Sequence, residues 1–70
     1  MDNLEEITLQ AMDHIVERLQ EIELAERSEI YSEHVRGMKE ALIEIFEILQ
    51  RWNKAASYGF HWNVEEEFPI

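Results

Sequence analysis

The stretch YSEHVRGMKEALIEIFEILQRWNKAA, residues 31–56, decides the fold. Within it Tyr31, Val35, Met38, Leu42, Ile45, Leu49, Trp52 and Ala56 recur at alternating steps of four and three. An α-helix turns once in about 3.6 residues, so this spacing lays all of them along one stripe. Such a stripe is the heptad seam of a helix that packs lengthwise on its neighbours. Ile30, Ala41 and Ile48 widen the seam on one side and Phe46 widens it on the other. The pattern predicts a helix over residues 29 to about 57, roughly 43 Å long at about 1.5 Å per residue.

Upstream, Leu4, Ile7, Ala11, Met12, Ile15, Leu19 and Ile22 share a face, which predicts an amphipathic helix over residues 3 to about 24. Asp2 or Asn3 can cap it, and Glu5 and Glu6 fall in the first turn, where the helix dipole favours acids. The apolar phase is lost between Ile22 and Ile30. A turn near Ala25 to Ser28, with Ser28 as the next N-cap, resolves the mismatch. That segment carries neither Gly nor Pro, so one continuous helix that changes partners midway is the alternative. With a turn, the fold is an all-α helical hairpin. Its first helix is the shorter, about 33 Å, and cannot cover the width of the seam. Two hairpins paired through their second helices can, which predicts a homodimer forming an antiparallel four-helix bundle. Tyr31, Val35, Met38, Leu42, Ile45, Leu49 and Trp52 are its expected dimer and core contacts.

Downstream the period changes. Tyr58, Phe60, Trp62 and Val64 alternate with Gly59, His61, Asn63 and Glu65, the two-residue rhythm of an extended segment. Gly59 suits a helix C′ position. Residues 58–70 are therefore expected to be a mostly extended aromatic and acidic tail. Two readings of it stand side by side. In one it folds back over the end of the second helix, around Trp52, Ala55 and Ala56. In the other it is an arm that offers Tyr58, Phe60, Trp62 and Phe68 to a partner's groove or sheet edge.

The 70-residue length supports one small domain, a size at which a single core is marginal without staples. Cysteine is absent, so disulfides, thiolate zinc sites and Cys nucleophiles are excluded. The acidic start, Met1-Asp2-Asn3-Leu4-Glu5-Glu6, is unlike a secretory signal, and Glu44 and Glu47 interrupt the most apolar window. A cytoplasmic protein with no membrane span is expected. The net charge is −10, with eight acids against two bases over residues 1–27. Such a chain repels nucleic acid and anionic membranes and attracts basic protein surfaces.

No catalytic, cofactor or metal site is expected. His14, Glu17 and Glu21 lie on neighbouring turns but lack ligands from a second helix, and the Glu44–Glu47 and Glu23–Glu26 spacings arise readily in acid-rich helices. The few Ser and Thr residues have no His and acid partners in a recognisable order. His34, at the edge of the seam, reads as a structural residue. What stands out is an outward acidic stripe, Glu6, Asp13, Glu17 and Glu21. The expected function is a non-catalytic protein-protein interaction module, a regulator or inhibitor whose partner presents a basic or apolar groove to the stripe or the tail. The competing expectation is a nucleic-acid mimic of the kind mobile elements carry, with the stripe imitating a phosphate backbone and blocking a basic site.

Overall fold

A computed structural model describes residues 3–28 and 32–70. It is all-helical among the described residues: α1 (Asn3–Arg27), α2 (Glu33–Leu49), a 3-10 turn (Ala56–Tyr58) and a short α3 (Val64–Glu67). The first helix runs three residues past its expected end. Its Gly- and Pro-free sequence lets it continue, with Glu5 and Glu6 at the positive end of its dipole and Arg27 at the negative end. Met12, Ile15, Leu19 and Ile22, at steps of three and four, are its buried line.

Ser32, not Ser28, is the N-cap of α2. Its hydroxyl accepts the Val35 amide at 3.3 Å from an extended backbone. Ser28 instead donates its hydroxyl to the carbonyls of Leu24 and Ala25 and finishes α1. Two separate helices therefore replace the single continuous one. Asp2, Tyr31 and the expected start of the second helix at residue 29 lie outside the described residues.

The helices run antiparallel. Leu4 and Thr8 share a groove with Ile48 and Leu49 at one end, and Glu26 meets Lys39 at the other. The buried line of α2 is Lys39, Ile43 and Phe46, and Val35, Met38, Leu42 and Leu49 are only half-buried. The heptad seam is thus rotated off the centre of the core by most of one residue's turn. Ile45, a central seam position, is 48% exposed. The reason is the third element. Residues 60–70, hereafter the strap, fold back along α2 and draw the Phe46 side of the helix inward.

The second helix stops at Leu49, well short of residue 57. Arg51 and Trp52 donate to carbonyls three residues back, of Ile48 and Leu49, and the chain tightens into turns. Trp52 then stacks on Tyr58 with ring centres 5.7 Å apart. Gly59 closes the 3-10 turn at φ 88°, a left-handed conformation in which a Cβ is penalised. The strap is not extended throughout. Asn63 accepts the amides of Glu65 and Glu66 through its side chain and starts the single turn of α3.

The two glycines respond oppositely to a methyl group. A Cβ at either would meet nothing within 4 Å, so only backbone conformation matters. Gly37→Ala, inside α2, is expected to stabilise the fold by about 0.5–1 kcal/mol. Gly59→Ala should destabilise it by about 1 kcal/mol, because φ there is positive. Urea melts of the two variants check both signs; a stabilising Gly59→Ala would remove the turn from its structural role.

Candidate interaction surfaces

The sequence concentrates apolar side chains on more of α2 than one partner helix can cover, and the hairpin resolves this unevenly. One flank is covered by the strap. Phe46 sits at the centre, fully buried, with Trp62 stacked on it at 5.1 Å and Phe60 edge-on at 5.8 Å. Val64 and Phe68 are buried in the same cluster as Met12, Ile15, Leu19 and Ile43. Phe60, Trp62 and Phe68 therefore belong to the folded body, whereas Tyr58 is more than a third exposed.

Two polar side chains on or just past α2 hold the strap by its main chain. Near one end, Gln50 donates through Nε2 to the carbonyls of Phe60 (3.2 Å) and Trp62 (2.8 Å). At the other, Lys39 donates through Nζ to the Pro69 carbonyl at 2.6 Å. The same ammonium meets Glu26 Oε1 of α1 at 2.6 Å, so one charged group ties α1, α2 and the strap together. Lys39 is 1% exposed. An ammonium so enclosed is tolerated only when paired and hydrogen-bonded, and here both conditions are met. Sequence reading missed it. A lysine three residues before Leu42 looks like a solvated flank, and only the strap's return path makes that flank interior.

The opposite flank has no cover among the described residues. Leu4 is 74% exposed, Ile7 60% and Ile48 57%; together with Ile45 they form an open apolar face, with the small Ala11 and Ala41 between them. Leu4 and Ile48 line one groove, so the face runs across both helices. Contiguous exposed apolar surface of this kind marks an interaction site more often than scattered single residues do. Where α2 has ended, Lys54 and Tyr58 reach Glu5 of α1 and close the end of the hairpin.

Glu6, Asp13, Glu17 and Glu21 are all exposed on α1, on the side away from its buried line. Glu21 is paired with Arg18 at 3.0 Å, so the stripe is partly neutralised at its C-terminal end. His14 and His34 are exposed, and no three His, Asp or Glu side chains among the described residues come together as a metal site. Glu26, one of the spaced carboxylates, is engaged by Lys39. A cleft of about 630 Å³ between the end of α2 and the strap is lined by Arg51, Trp52, His61 and Trp62. It brings no base beside a nucleophile, and its floor is the same aromatic packing that holds the strap. No helix among the described residues is long and apolar enough to cross a membrane.

Neither a protein-family model, nor a curated protein sequence, nor a solved structure matches the chain.

The Lys39–Glu26 pair gives a test of how the interior is held. Glu26→Ala leaves the enclosed ammonium with the Pro69 carbonyl alone and is expected to cost about 3 kcal/mol. Glu21→Ala, which breaks the exposed Arg18 pair, should cost no more than about 1 kcal/mol. Adding Lys39→Met to Glu26→Ala should recover much of the loss, because the methionine removes the unpaired charge and keeps most of the volume. Chemical denaturation of the three proteins measures all three effects; equal costs for the two Glu variants would contradict the enclosed pair.

Proposed function

We propose that the chain is a small non-catalytic protein-interaction module that works as a homodimer. Two hairpins join through the open face of Leu4, Ile7, Ala11, Ala41, Ile45 and Ile48 to make an antiparallel four-helix bundle. The observation that supports this most directly is the unequal covering of α2: one apolar flank lies under the strap, and the other presents large aliphatic side chains to solvent. Burying a Leu or Ile is worth about 1.5–3 kcal/mol relative to leaving it in water, a substantial fraction of a small domain's stability. A second copy supplies a face of the same length and chemistry, and a two-fold axis places each apolar row against its counterpart.

In such a dimer the acidic stripe of each α1 stays on the outside. The module then offers a rigid, negatively charged surface to a protein partner with a basic groove, as a cytoplasmic regulator or inhibitor would. The nucleic-acid-mimic alternative needs regularly spaced carboxylates that answer only to the partner, and the Arg18–Glu21 pair weakens it. Protein recognition therefore fits the stripe better.

Sedimentation decides the first step. The wild-type chain at micromolar concentration is expected to sediment as a dimer. Ile7→Glu/Ile48→Glu should sediment as a monomer with unchanged helical circular dichroism, because both side chains are already exposed within one chain. A monomeric wild-type protein would sink the bundle.

A further inference from the structure

The strap contributes Val64 and Phe68 to the core, but its polar attachments are those of a bound peptide. Among the described residues, no main-chain hydrogen bond joins it to α1 or α2. Its polar attachments are the side chains of Gln50 and Lys39, eleven positions apart in the chain, each donating to main-chain carbonyls. Main-chain carbonyls are common to every peptide, so these two hooks hold the strap by its backbone and not by its side chains. Selectivity comes from the surface between them. Phe46 receives the face of Trp62, and Phe68, 3% exposed, closes the far end beside Val16 and Gln20 of α1. The strap is joined to the rest of the chain through Gly59, whose left-handed backbone and open surroundings make it a natural pivot.

We infer that the α2 groove between Gln50 and Lys39 is a peptide-binding site and that residues 60–70 are its built-in occupant. The partner it fits is a segment of another protein that carries two bulky aromatic side chains separated, as Trp62 and Phe68 are, by a single helical turn, which brings the two rings to 6.2 Å. Such a segment lays its first ring on Phe46 and sets the carbonyl of the residue after its second ring on Lys39, as Pro69 does. The strap competes with it, so the groove binds only in the fraction of molecules in which the strap is open. Segments without main-chain hydrogen bonds to the helices they lie on can open locally at lower free energy than the whole, and this one is held by two side-chain hooks, the rings of Phe60 and Trp62 on Phe46, and the buried Val64 and Phe68. The site lies on the opposite flank of α2 from the open face, so it does not depend on the homodimer.

The probe is the synthetic peptide of residues 58–70 with a fluorescein at its N-terminus, titrated into the full chain and followed by anisotropy. The wild-type chain should bind it weakly. The full-length Trp62→Ala/Phe68→Ala variant, whose own strap competes poorly, should bind it at least about tenfold more tightly. Adding Lys39→Met to that variant should weaken binding again, which separates the groove from adsorption on the open face. A Trp62→Ala/Phe68→Ala variant that keeps its helical signal and does not bind the peptide overturns the proposal. Native-state hydrogen exchange on the wild-type protein decides the matter even if that variant fails to fold. The Phe60, Glu67 and Phe68 amides should exchange through an opening separate from that of the α1 and α2 centres. Exchange of all of them only by global unfolding makes the strap permanent core and ends the proposal. Failure of the homodimer would appear in sedimentation and leave both measurements unchanged.

Discussion

Phe46 cannot be buried by two helices alone. It lies on the flank of α2, away from the seam's centre, and a hairpin partner reaches only one side of it. The rest of the structure follows from how that ring is covered. The stack of Trp62 on Phe46 and the edge contact of Phe60 supply the missing wall. For the chain to return to Phe46 it must leave the helix early, which is why α2 ends at Leu49 although the apolar spacing continues to Ala56. The turns that follow, the Trp52–Tyr58 stack and the positive φ of Gly59 are the means of that reversal. Offset and edge-to-face aromatic pairs contribute about 0.5–1.5 kcal/mol each beyond their burial, so the strap's rings outweigh the few helical hydrogen bonds given up.

The same return path explains the buried lysine. Once the strap lies along α2, Lys39 is enclosed, and its charge must be answered from within. Glu26 on α1 and the Pro69 carbonyl do so. A buried pair of this type adds little net stability over an apolar substitute. Its consequence here is register: the ammonium can satisfy both partners only when α1, α2 and the strap end are aligned in one way.

The all-α class, the first helix and its buried line were legible in the sequence because period and end signals agreed there. Met12, Ile15, Leu19 and Ile22 fall on the expected face, and Gly59 takes the left-handed position its isolation suggested. The second helix was harder. Its heptad pattern is genuine, but Val35, Met38, Leu42 and Ile45 describe the midline of all the apolar surface on α2, not the line that meets α1. Periodicity cannot say how that surface is divided among neighbours. The tail's alternation misled for a related reason. Tyr58, Phe60, Trp62 and Val64 alternate without any sheet partner: Tyr58 stacks on Trp52 before the turn at Gly59, Phe60 and Trp62 pack on Phe46 after it, and Val64 begins the Asn63-capped helical turn. Lys39 and Gln50 were invisible as site residues, since their partners in the strap are main-chain carbonyls, which leave no mark in a sequence.

The two flanks of α2 therefore pose a single problem with two different solutions. Aromatic residues far along the chain cover one flank from within, at short range and with high effective concentration. Aliphatic residues, Ile45 and Ile48 with Leu4 and Ile7 across the groove, form the other, and no described residue later in the chain covers them. The division of residue types is itself informative. Large rings give a single strand enough contact to hold a helix flank, so a short strap suffices for Phe46. Branched aliphatic side chains spread over two helices present a flatter, longer surface, the kind the proposed second copy would match. If the proposed homodimer and peptide groove both exist, a competing segment would open the first arrangement and dilution the second, so the two surfaces would respond to different variables.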